Sequence, residues 1–525
     1  MKKFLFSILL SFLLQKIHTQ VYFNNLEIEI KKDANWWAGI LIEGHKMPLK
    51  NGYEAQLYGT SYFNQLQPLL LSNTGELVWS DEPFRFKVNE EKILFDQSYA
   101  PLQYKKVGKN LRDAYLYASK NYFPPSGKMP PELFFSVPQY NTWIELTYNQ
   151  NQKDILEYAR AIINNGMPPG IIMIDDNWQE DYGKWNFHKG RFPDPKAMMK
   201  ELKELGFKVM LWVCPFVSAD SDVYRKLEKK RMFMLDDTEK PAMVRWWNGV
   251  SALLDLTNPE SEKWFKGELN NLINEFDVDG FKLDAGDGRF YKGIKSLKKV
   301  SPNTHTELFA KIGLSYPYNE YRATWKMGGQ PLVQRLHDKS HDWKDLKKLI
   351  PHMLLEGIMG YPFSCPDMIG GGQFTSFLDD APIDQELVVR STQVHALMPM
   401  MQFSVAPWRI LDKKHFKAVL DAVNLRDQFK KTILDLARDA SFNGEPIVRS
   451  MEYVFPYKGY YKIEDQFMVG NNILVAPYLS KGEGTREVII PKGKWKSDTG
   501  KIYKGGKSIT INVPLNRLPY FVKYN

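Results

Sequence analysis

The sequence has few cysteines and lacks the motifs that mark disulfide-rich, phosphate-binding and metal-binding proteins. Only two cysteines occur in 525 residues, Cys214 and Cys365, each inside an apolar run. A disulfide framework in an exported chain would need more, so we expect two buried thiols. No glycine-rich phosphate loop is present, and the cysteines have no histidine at a metal-ligand spacing. We therefore expect neither a metal nor an organic cofactor.

Positive charge is in excess but is not concentrated in any stretch. Lys and Arg number 70 against 61 Asp and Glu, for a net charge of +9. A nucleic-acid-binding surface would show basic stripes with interleaved aromatics. The lysines here are scattered or lie in mixed runs such as DLKKL at 345–349. The pattern predicts a solvated surface and no nucleic-acid partner.

The chain is long and rich in aromatic residues. At about 150 residues per domain, its length predicts three or four folding units, or one large barrel with appended domains. Hydrophobic residues at 43% and charged residues at 25% are ordinary for a globular protein and exclude a fibrous or disordered chain. Aromatic residues make up 14%. Such flat faces line sugar-binding sites, although they also fill cores.

The first 20 residues have the pattern of a secretory signal. Lys2 and Lys3 precede an apolar stretch at 4–14, and polar QKIHTQ follows. This order is that of a signal peptide, and the apolar stretch is too short for a stable membrane anchor. No later run reaches 18 apolar residues without a charge. We expect residues 1–20 to be removed near Gln20 and the remainder to be exported, to the periplasm or the medium, without attachment to a membrane.

Three regions follow the signal. Residues 21–135 consist of short alternating strands and turns, such as WWAGILIEG, and predict an N-terminal β-sandwich. After a Pro-rich junction, residues 136–435 alternate apolar strands with amphipathic helices, which is the pattern of βαβ units in an α/β domain. Residues 436–525 return to strands and turns and predict one or two C-terminal β-domains.

Eight candidate strands lie between Thr142 and Ser404, which is the strand count of a (β/α)8 TIM barrel. In chain order they are TWIEL, GIIMIDD, KVMLWVCPF, GFKLD, YRATW, VQRLHD, GYPFSCPD and MPMMQFS. The active site of such a barrel lies at the C-terminal ends of its strands. The residues that end each apolar run are therefore the informative ones.

Carboxylates end four of these runs. They are Asp175 and Asp176 after the second strand, Asp284 and Asp287 after the fourth, Asp338 after the sixth and Asp367 after the seventh. One carboxylate at a strand end is often a helix N-cap, but several on one rim repel each other and indicate a site. Divalent metal binding usually goes with a phosphate-bearing substrate, whereas glycoside hydrolysis needs two carboxylates framed by aromatics. The tryptophans favour hydrolysis.

Eight motifs occur in order along the chain, most of them at these strand ends. They are MIDDNW at 173, RFPDP at 191, VMLWVCPF at 209, VRWWNG at 244, FKLDAGD at 281, LHDKSHDW at 336, GYPFSCPDMIGG at 360 and MPMMQFSVAPW at 398. With them the chain resembles glycoside hydrolase family 31 over nearly all of its length beyond the signal. The resemblance implies a retaining α-glycosidase that forms a covalent glycosyl-enzyme intermediate and takes an α-glycoside as its partner.

The resemblance implies roles for two aspartates. Asp284 in FKLDAGD is implied as the nucleophile, and Asp338 in LHDKSHDW as the general acid/base, with Asp342 as its competitor. Lys282 lies two residues before Asp284 and so faces the same side of the strand, where its ammonium would hold Asp284 ionised. A plain surface pair is the alternative. Asp338 must carry a proton when the substrate binds, which favours a buried position.

The sugar-binding residues are implied in the same way. Arg322 in EYRATW stands where the family has an arginine that binds the −1 sugar. Asp176 matches a hydroxyl-binding aspartate, with Asp175 as the alternative if the register differs by one. Trp246 or Trp247 in VRWWNG stacks on the sugar face, unless either belongs to the core.

One feature departs from the family pattern. Members that act on glucose or xylose usually carry a histidine after the eighth strand, where MMQFS leaves Ser404. The members that the chain resembles best act on α-galactosides, so we expect α-galactosides first, with an α-glucosidase, an α-xylosidase or a transglycosylase as alternatives. A non-catalytic sugar-binding protein is the alternative from another class, and the intact Asp284 and Asp338 argue against it. We expect Asp367 to order its loop.

Overall fold

Eight parallel strands form the central sheet of the protein, whose computed structural model describes residues 26–60, 62–378 and 382–524. The first seven strands pair in chain order, and the eighth pairs with the first. A parallel bridge between Met368 and Gln402 joins the region after the seventh strand to the eighth, where the Ile369 amide donates to the Gln402 carbonyl at 2.8 Å. The sheet thus closes on itself, and the predicted (β/α)8 barrel is confirmed.

The observed strands agree with most of the predicted runs. In chain order they are Gln139–Asn141, Ile171–Ile174, Lys208–Val213, Gly280–Leu283, Tyr318–Tyr321, Gln334–Arg335, Ser364–Cys365 and Gln402–Phe403. Six predicted runs contain a strand, and YRATW overlaps one only at Tyr321. TWIEL is wrong, because Trp143–Leu146 is a helical turn. The Asn141 side chain accepts a hydrogen bond from the Trp143 amide at 2.8 Å, which ends the first strand before that turn.

Polar side chains fill part of the barrel interior. The Gln402 amide donates to Glu320 at 2.7 Å and to Gln139 at 3.0 Å, and Asn141 donates to Gln402 at 3.3 Å. Arg335 donates to Glu320 at 3.3 Å. Buried polar groups are usually hydrogen-bonded, and these side chains bond to one another, although within the described residues the Gln139 side-chain nitrogen has no partner. The first strand therefore lacks the apolar pattern by which the others are recognised.

The helices begin at residues that suit helix starts. Asp194, Asn258 and Ser301 are N-caps, and each is followed by proline at the first helical position. The longer helices are Leu111–Tyr122, Gln152–Asn164, Pro195–Glu204, Asp222–Lys229, Pro259–Phe276, Pro302–Ile312, Trp343–Ile358, Gln385–Ala396 and Lys413–Asn443. Short α-helices are Leu133–Ser136, Trp143–Leu146, Pro407–Ile410 and Met451–Val454; 3-10 turns are Leu41–Lys46, Gly288–Tyr291, Gly313–Ser315, Phe374–Phe377 and Tyr460–Lys462.

Antiparallel sheets flank the barrel in the chain. Two four-stranded sheets precede it: Leu26–Glu29, Lys92–Ser98, Phe84–Val88 and Glu54–Gln56 form one, and Trp36–Ile40, Leu66–Ser72, Glu76–Trp79 and Gln103–Lys106 form the other. A six-stranded sheet follows it, with strands Val448–Arg449, Phe467–Val469, Ile473–Val475, Tyr520–Tyr524, Lys494–Ser497 and Ile502–Lys504, together with the pair Gly484–Ile490 and Lys507–Val513. The predicted N-terminal and C-terminal β-regions are thus present.

Two small sheets extend from the loops after the second and third barrel strands. The first is the hairpin Gln179–Asp181 with Lys184–Phe187, and the second joins Phe216–Ser218, Gly249–Leu253 and Met243–Trp246. Both insertions lie at the C-terminal side of the barrel strands. They therefore add side chains to the rim where the candidate site lies.

Some sequence-based expectations stay predictions. The signal at 1–20 lies outside the described residues, and the boundary at 435 falls within the helix Lys413–Asn443.

Both cysteines are buried and unpaired. Across 26–60, 62–378 and 382–524, no helix combines the length and apolar character needed to cross a bilayer.

Candidate active site

A cavity of about 370 Å³ opens at the C-terminal ends of the barrel strands. Seven of the eight residues predicted to act on the substrate line it: Asp175, Asp176, Trp247, Lys282, Asp284, Arg322 and Asp338. Only Trp246 does not. The carboxylates that follow the second, fourth and sixth strands thus share one space, as the barrel topology requires.

Asp284 follows the fourth strand and is almost fully buried. Its Oδ1 accepts from Arg322 Nε at 2.9 Å and from the Ala285 amide at 2.7 Å, and its Oδ2 accepts from Trp212 Nε1 at 3.0 Å. Burial alone would raise the pKa of Asp284, but the charges of Arg322, Lys282 and Arg335 outweigh it and hold the pKa well below its usual range. This carboxylate is therefore ionised.

Lys282 acts on Asp284 differently from the way the sequence predicts. Its ammonium donates to Asp175 Oδ2 at 2.6 Å, and both side chains are buried. Burial opposes the charge on Lys282, but Asp175 keeps its pKa above the ordinary value. The direct ionic partner of Asp284 is Arg322. Lys282 does not bond to Asp284, but its positive charge also lowers the pKa of that carboxyl group. The surface-pair alternative is wrong, because neither residue is exposed.

Arg322 bridges two carboxylates. Besides Asp284, it donates to Asp287 Oδ2 at 2.8 Å and to the Phe63 carbonyl at 2.8 Å. The Phe63 contact comes from the N-terminal region, so that region helps to hold the guanidinium. Arg322 therefore orders the carboxylate rim as well as lining the cavity.

Asp176 is the carboxylate of its pair that has polar neighbours at the rim. Tyr182 donates to its Oδ1 at 3.1 Å, and Asn248 donates to its Oδ2. Burial and the charge of Asp175 raise the pKa of Asp176 to about 7. Asp175 is occupied by Lys282 and by the Asp176 amide at 2.8 Å. Of the two residues left open by the sequence, Asp176 has the geometry to receive a hydroxyl group.

Asp338 is the second carboxylate of the cavity and is less buried than predicted. Its side chain is 32% exposed, and its Oδ1 accepts from Arg335 at 2.8 Å. Arg335 also donates to Asp367 at 2.8 Å. Asp342, the competitor, does not line the cavity, because its side chain caps the helix Trp343–Ile358 by accepting from the Asp345 amide at 2.7 Å.

Asp367 orders its loop, as expected. It accepts from the amides of Lys339 at 2.7 Å and Gly372 at 3.1 Å. Its backbone has a positive φ of 116°, a strained region for a residue other than glycine. Burial raises the pKa of Asp367 to about 7 against the opposing charge of Arg335. The residue therefore ties two rim loops together beneath Asp338.

The two adjacent tryptophans have different surroundings. Trp246 stacks on Phe216 with ring centroids 4.4 Å apart and donates to Ser251 at 3.1 Å, so it belongs to the core. Trp247 is 43% exposed, and its ring lies 5.4 Å from the Arg322 guanidinium. Trp246 is therefore wrong as a sugar-stacking residue, and Trp247 presents its ring to the cavity.

Two family models match the chain. The family 31 TIM-barrel domain of glycosyl hydrolases matches residues 127–335, and the family 31 C-terminal domain matches residues 444–525. Together they account for more than half of the chain. The chain belongs to glycoside hydrolase family 31.

Curated relatives in family 31 agree with this assignment. The chain is 32% identical over 433 residues to the myogenesis-regulating glycosidase of Mus musculus, covering 79% of this chain and 60% of that protein. It is 26% identical to alpha-glucosidase 2 of Bacillus thermoamyloliquefaciens, covering 71% and 51%, and 25% identical to the alpha-xylosidase of Emericella nidulans, covering 77% and 56%. The family 31 chain thus spans between half and three fifths of the length of these relatives.

Solved structures show the same fold. A family 31 dextranase of Flavobacterium johnsoniae in complex with glucose has a TM-score of 0.84 at 21% identity, covering 95% of this chain and 66% of that one. An alpha-xylosidase from a soil metagenome in complex with xylose has a TM-score of 0.82 at 20% identity, covering 95% and 79%. These likenesses show a shared backbone fold.

Several cavity residues of the family 31 chain escape prediction from the sequence. They are Phe63, Trp143, Tyr148, Trp212, Arg289, Gln373 and Phe374, whereas Arg335 and His337 belong to the RLHD run that ends the sixth predicted strand. Trp212 lies one residue before the end of the third strand, so the strand-end rule points to it. Phe63 and Arg289 reach the cavity from an N-terminal loop and a 3-10 turn, where no periodic pattern marks them. Among the described residues, no three His, Cys, Asp or Glu side chains are grouped as ligands of one metal ion.

Ser404 is also different from what the sequence predicts. Its hydroxyl is fully buried and accepts from the Ile144 amide at 2.7 Å, so it does not face the cavity. It instead fixes the turn that carries Trp143, whose ring does line the cavity. An aromatic wall therefore lies beside this part of the eighth strand.

Proposed function

We propose that this family 31 chain is a retaining α-glycosidase. The observation that carries the proposal is that Asp284, paired with Arg322 and Trp212, shares one cavity with Asp338. A glycosidase of this kind needs one ionised carboxylate and one carboxyl group that carries a proton. Asp284 fits the first role because its charge is stabilised from three sides.

The proposed reaction has two displacements. Asp338 gives its proton to the leaving oxygen while an Asp284 oxygen bonds to the anomeric carbon, and the glycosidic bond breaks. Asp338 then takes a proton from water, whose oxygen bonds to the anomeric carbon as the Asp284 ester bond breaks. Arg335, at 2.8 Å, holds the Asp338 carboxyl group toward the cavity in both steps.

Substrate contacts follow from the cavity walls. Asp176 accepts sugar hydroxyls beside Tyr182 and Asn248, which hold its carboxylate in place. Trp247 and Trp143 supply flat apolar faces, and aromatic rings pack well against the C–H face of a sugar. These groups hold the −1 sugar over Asp284.

For that sugar we propose α-linked galactose. Axial O4 leaves the C3, C4 and C5 hydrogens of galactose together on one face, which suits a cavity with two aromatic walls. The sequence motifs, which resemble those of members that act on α-galactosides, also favour galactose. The second candidates are α-glucosides and α-xylosides, because alpha-glucosidase 2 and an alpha-xylosidase are among the relatives of the chain.

A panel of p-nitrophenyl α-galactoside, α-glucoside and α-xyloside tests both parts of the proposal. We expect p-nitrophenol release from the galactoside with the highest kcat/KM, and none from the Asp284→Ala variant. A preference for the glucoside or the xyloside would contradict galactose as the −1 sugar but would leave the proposed reaction intact. No release from any α-glycoside by folded protein would overturn the reaction and favour a non-catalytic sugar-binding protein.

We also propose that the chain is exported. The support is the charged, apolar and polar order of residues 1–20, which lie outside the described part of the chain. N-terminal sequencing of protein recovered from outside the cytoplasm is expected to start close to residue 21. An N-terminus that still begins at Met1 would contradict the proposal.

A further inference from the structure

A second cavity, of about 470 Å³, adjoins the catalytic one. Its volume lies within the range of about 300–1,000 Å³ that is usual for small-molecule sites. Phe63, Arg289 and His337 line both cavities and so form the junction between them. The remaining walls come from the 3-10 turn Leu41–Lys46, the loop around Tyr62 and the helix Trp343–Ile358.

The junction lies on the side of the proposed acid/base. His337 immediately precedes Asp338, and Asp338 would protonate the departing group. A leaving group released beside Asp338 therefore faces the second cavity, whereas the −1 sugar stays with Asp284 and Asp176. This position makes the second cavity a candidate binding site for the leaving group.

The charged residues of this cavity are paired with one exception. Lys46 bonds to Glu43 at 2.6 Å, and Lys348 bonds to Asp345 at 2.7 Å. Among the residues that the structure describes, Arg289 forms no ion pair. Asp287, which acts on it electrostatically, is instead paired with Arg322 at 2.8 Å.

Two aromatic rings hold the unpaired guanidinium at the junction. Its central carbon lies 4.2 Å from the ring centroid of Phe63 and 4.6 Å from that of Phe290. Stacking on rings occupies the faces of a guanidinium and leaves its N–H edge available for an oxygen anion. Phe63 and Phe290 thus orient Arg289 without neutralising it.

The imidazoles that line the cavity are neutral hydrogen-bonding groups. Burial and the positive charges of neighbouring lysines and arginines lower the pKa of His337 to about 2, and burial lowers the pKa of His45 and of His352. His45 and His352 bond to each other at 2.9 Å, and within the described residues the buried Nδ1 of His352 has no partner. The lining therefore combines positive potential with a free polar atom.

We propose that the second cavity binds the leaving group of the substrate and selects one that carries an anion, with Arg289 as the specificity residue. The anion is a carboxylate, a sulfate ester or a phosphate ester on the sugar that is released. The assignment rests on the proposed glycosidase function, because it identifies the leaving-group side from Asp338. Planar or tetrahedral oxyanions both match the N–H edge of arginine.

The test compares sugars that differ only in charge. Glucose, glucuronate, glucose 6-sulfate and glucose 6-phosphate are titrated into the full protein by calorimetry, with wild type, Arg289→Gln and Lys292→Gln. Lys292 is exposed, lies on the same segment and lines neither cavity, so its variant removes an equal charge without touching the site. We expect at least one anionic sugar to bind about tenfold or more tightly than glucose, a preference that only Arg289→Gln removes.

A transfer assay separates the two cavities. With p-nitrophenyl α-galactoside as donor, a sugar in the second cavity can accept the galactosyl group: its hydroxyl oxygen bonds to the anomeric carbon as the Asp284 ester bond breaks, and its proton passes to Asp338. We expect about tenfold more transfer product, measured by mass spectrometry, from the preferred anionic sugar than from glucose. The preferred anion identifies the source as carboxylate, sulfate or phosphate.

The outcomes distinguish this proposal from the proposed function. Equal binding and transfer for charged and neutral sugars, in a protein that hydrolyses the donor, would overturn anion selection alone. Anionic sugars that inhibit competitively and yield no transfer product would place the anion in the catalytic cavity and overturn it too. If no donor is hydrolysed, the calorimetric arm still decides whether Arg289 selects anions.

Discussion

Replacing Arg322 by glutamine tests how Asp284 is kept ionised. The guanidinium lies 2.9 Å from Asp284 and 2.8 Å from Asp287, and all three side chains are buried. Two unit charges about 4 Å apart interact by about 4 kcal/mol at an effective dielectric constant of about 20. At about 1.36 kcal/mol per unit, this equals a rise of about three units in the pKa of Asp284.

The ionisation of Asp284 sets how activity depends on pH at the acidic end. Asp284 attacks only when ionised, so activity is lost as the pH falls through its pKa. In Arg322→Gln that pKa is higher, and the acidic limb of kcat is expected about three pH units above the wild-type limb. The variant is also expected to lose about 3–5 kcal/mol of unfolding free energy, because two buried carboxylates lose their partner.

The assay is the pH profile of kcat at saturating p-nitrophenyl α-galactoside, with denaturant unfolding at neutral pH. Arg322→Lys keeps the positive charge but loses the paired N–H donors of the guanidinium. We expect the acidic limb of this variant to lie within about one pH unit of the wild-type limb. The control is Arg160→Gln, which breaks a surface ion pair with Glu201 and is expected to change neither quantity by much. An unmoved acidic limb in folded Arg322→Gln would refute the electrostatic account of Asp284.

Three further predictions follow from the site. Retention is expected, so proton NMR of the hydrolysis mixture is expected to show the α-anomer first, and a β-anomer appearing first from an α-substrate would contradict the proposed mechanism. Asp338→Ala is expected to slow substrates with poor leaving groups far more than activated aryl glycosides, and equal losses would move the acid role elsewhere. Because the pKa of Asp176 is about 7, the ionised form that accepts stronger hydrogen bonds prevails above that pH. KM is therefore expected to fall as the pH rises through about 7, and Asp176→Asn is expected to remove this transition; a transition that persists in the variant would assign it to another group.

The strand-end carboxylates are predictable because barrel topology brings them together. Asp176, Asp284 and Asp338 end apolar runs that pattern alone identifies, and parallel strands present their C-terminal ends on one rim. Nothing about the folded chain beyond the order of strands and helices is needed for this step. The carboxylates of the cavity are therefore readable from local sequence.

The remainder depends on contacts that no local pattern encodes. Trp246 and Trp247 are adjacent, and the strand Met243–Trp246 ends between them, so one ring enters the core and the other the cavity. The strand Gln139–Asn141 faces a polar barrel interior, where the apolar criterion fails. Phe63 reaches the site from the N-terminal region through its carbonyl bond with Arg322.

Covalent trapping tests the central claim most directly. A 5-fluoro-α-galactosyl fluoride is expected to form the glycosyl-enzyme quickly, and this glycosyl-enzyme is then hydrolysed slowly. The intermediate therefore accumulates, and its labelled peptide can be sequenced by mass spectrometry. We predict one added fluorogalactosyl group, carried by Asp284 in the peptide that contains FKLDAGD. A label on any other residue would contradict the assignment of Asp284 as the nucleophile.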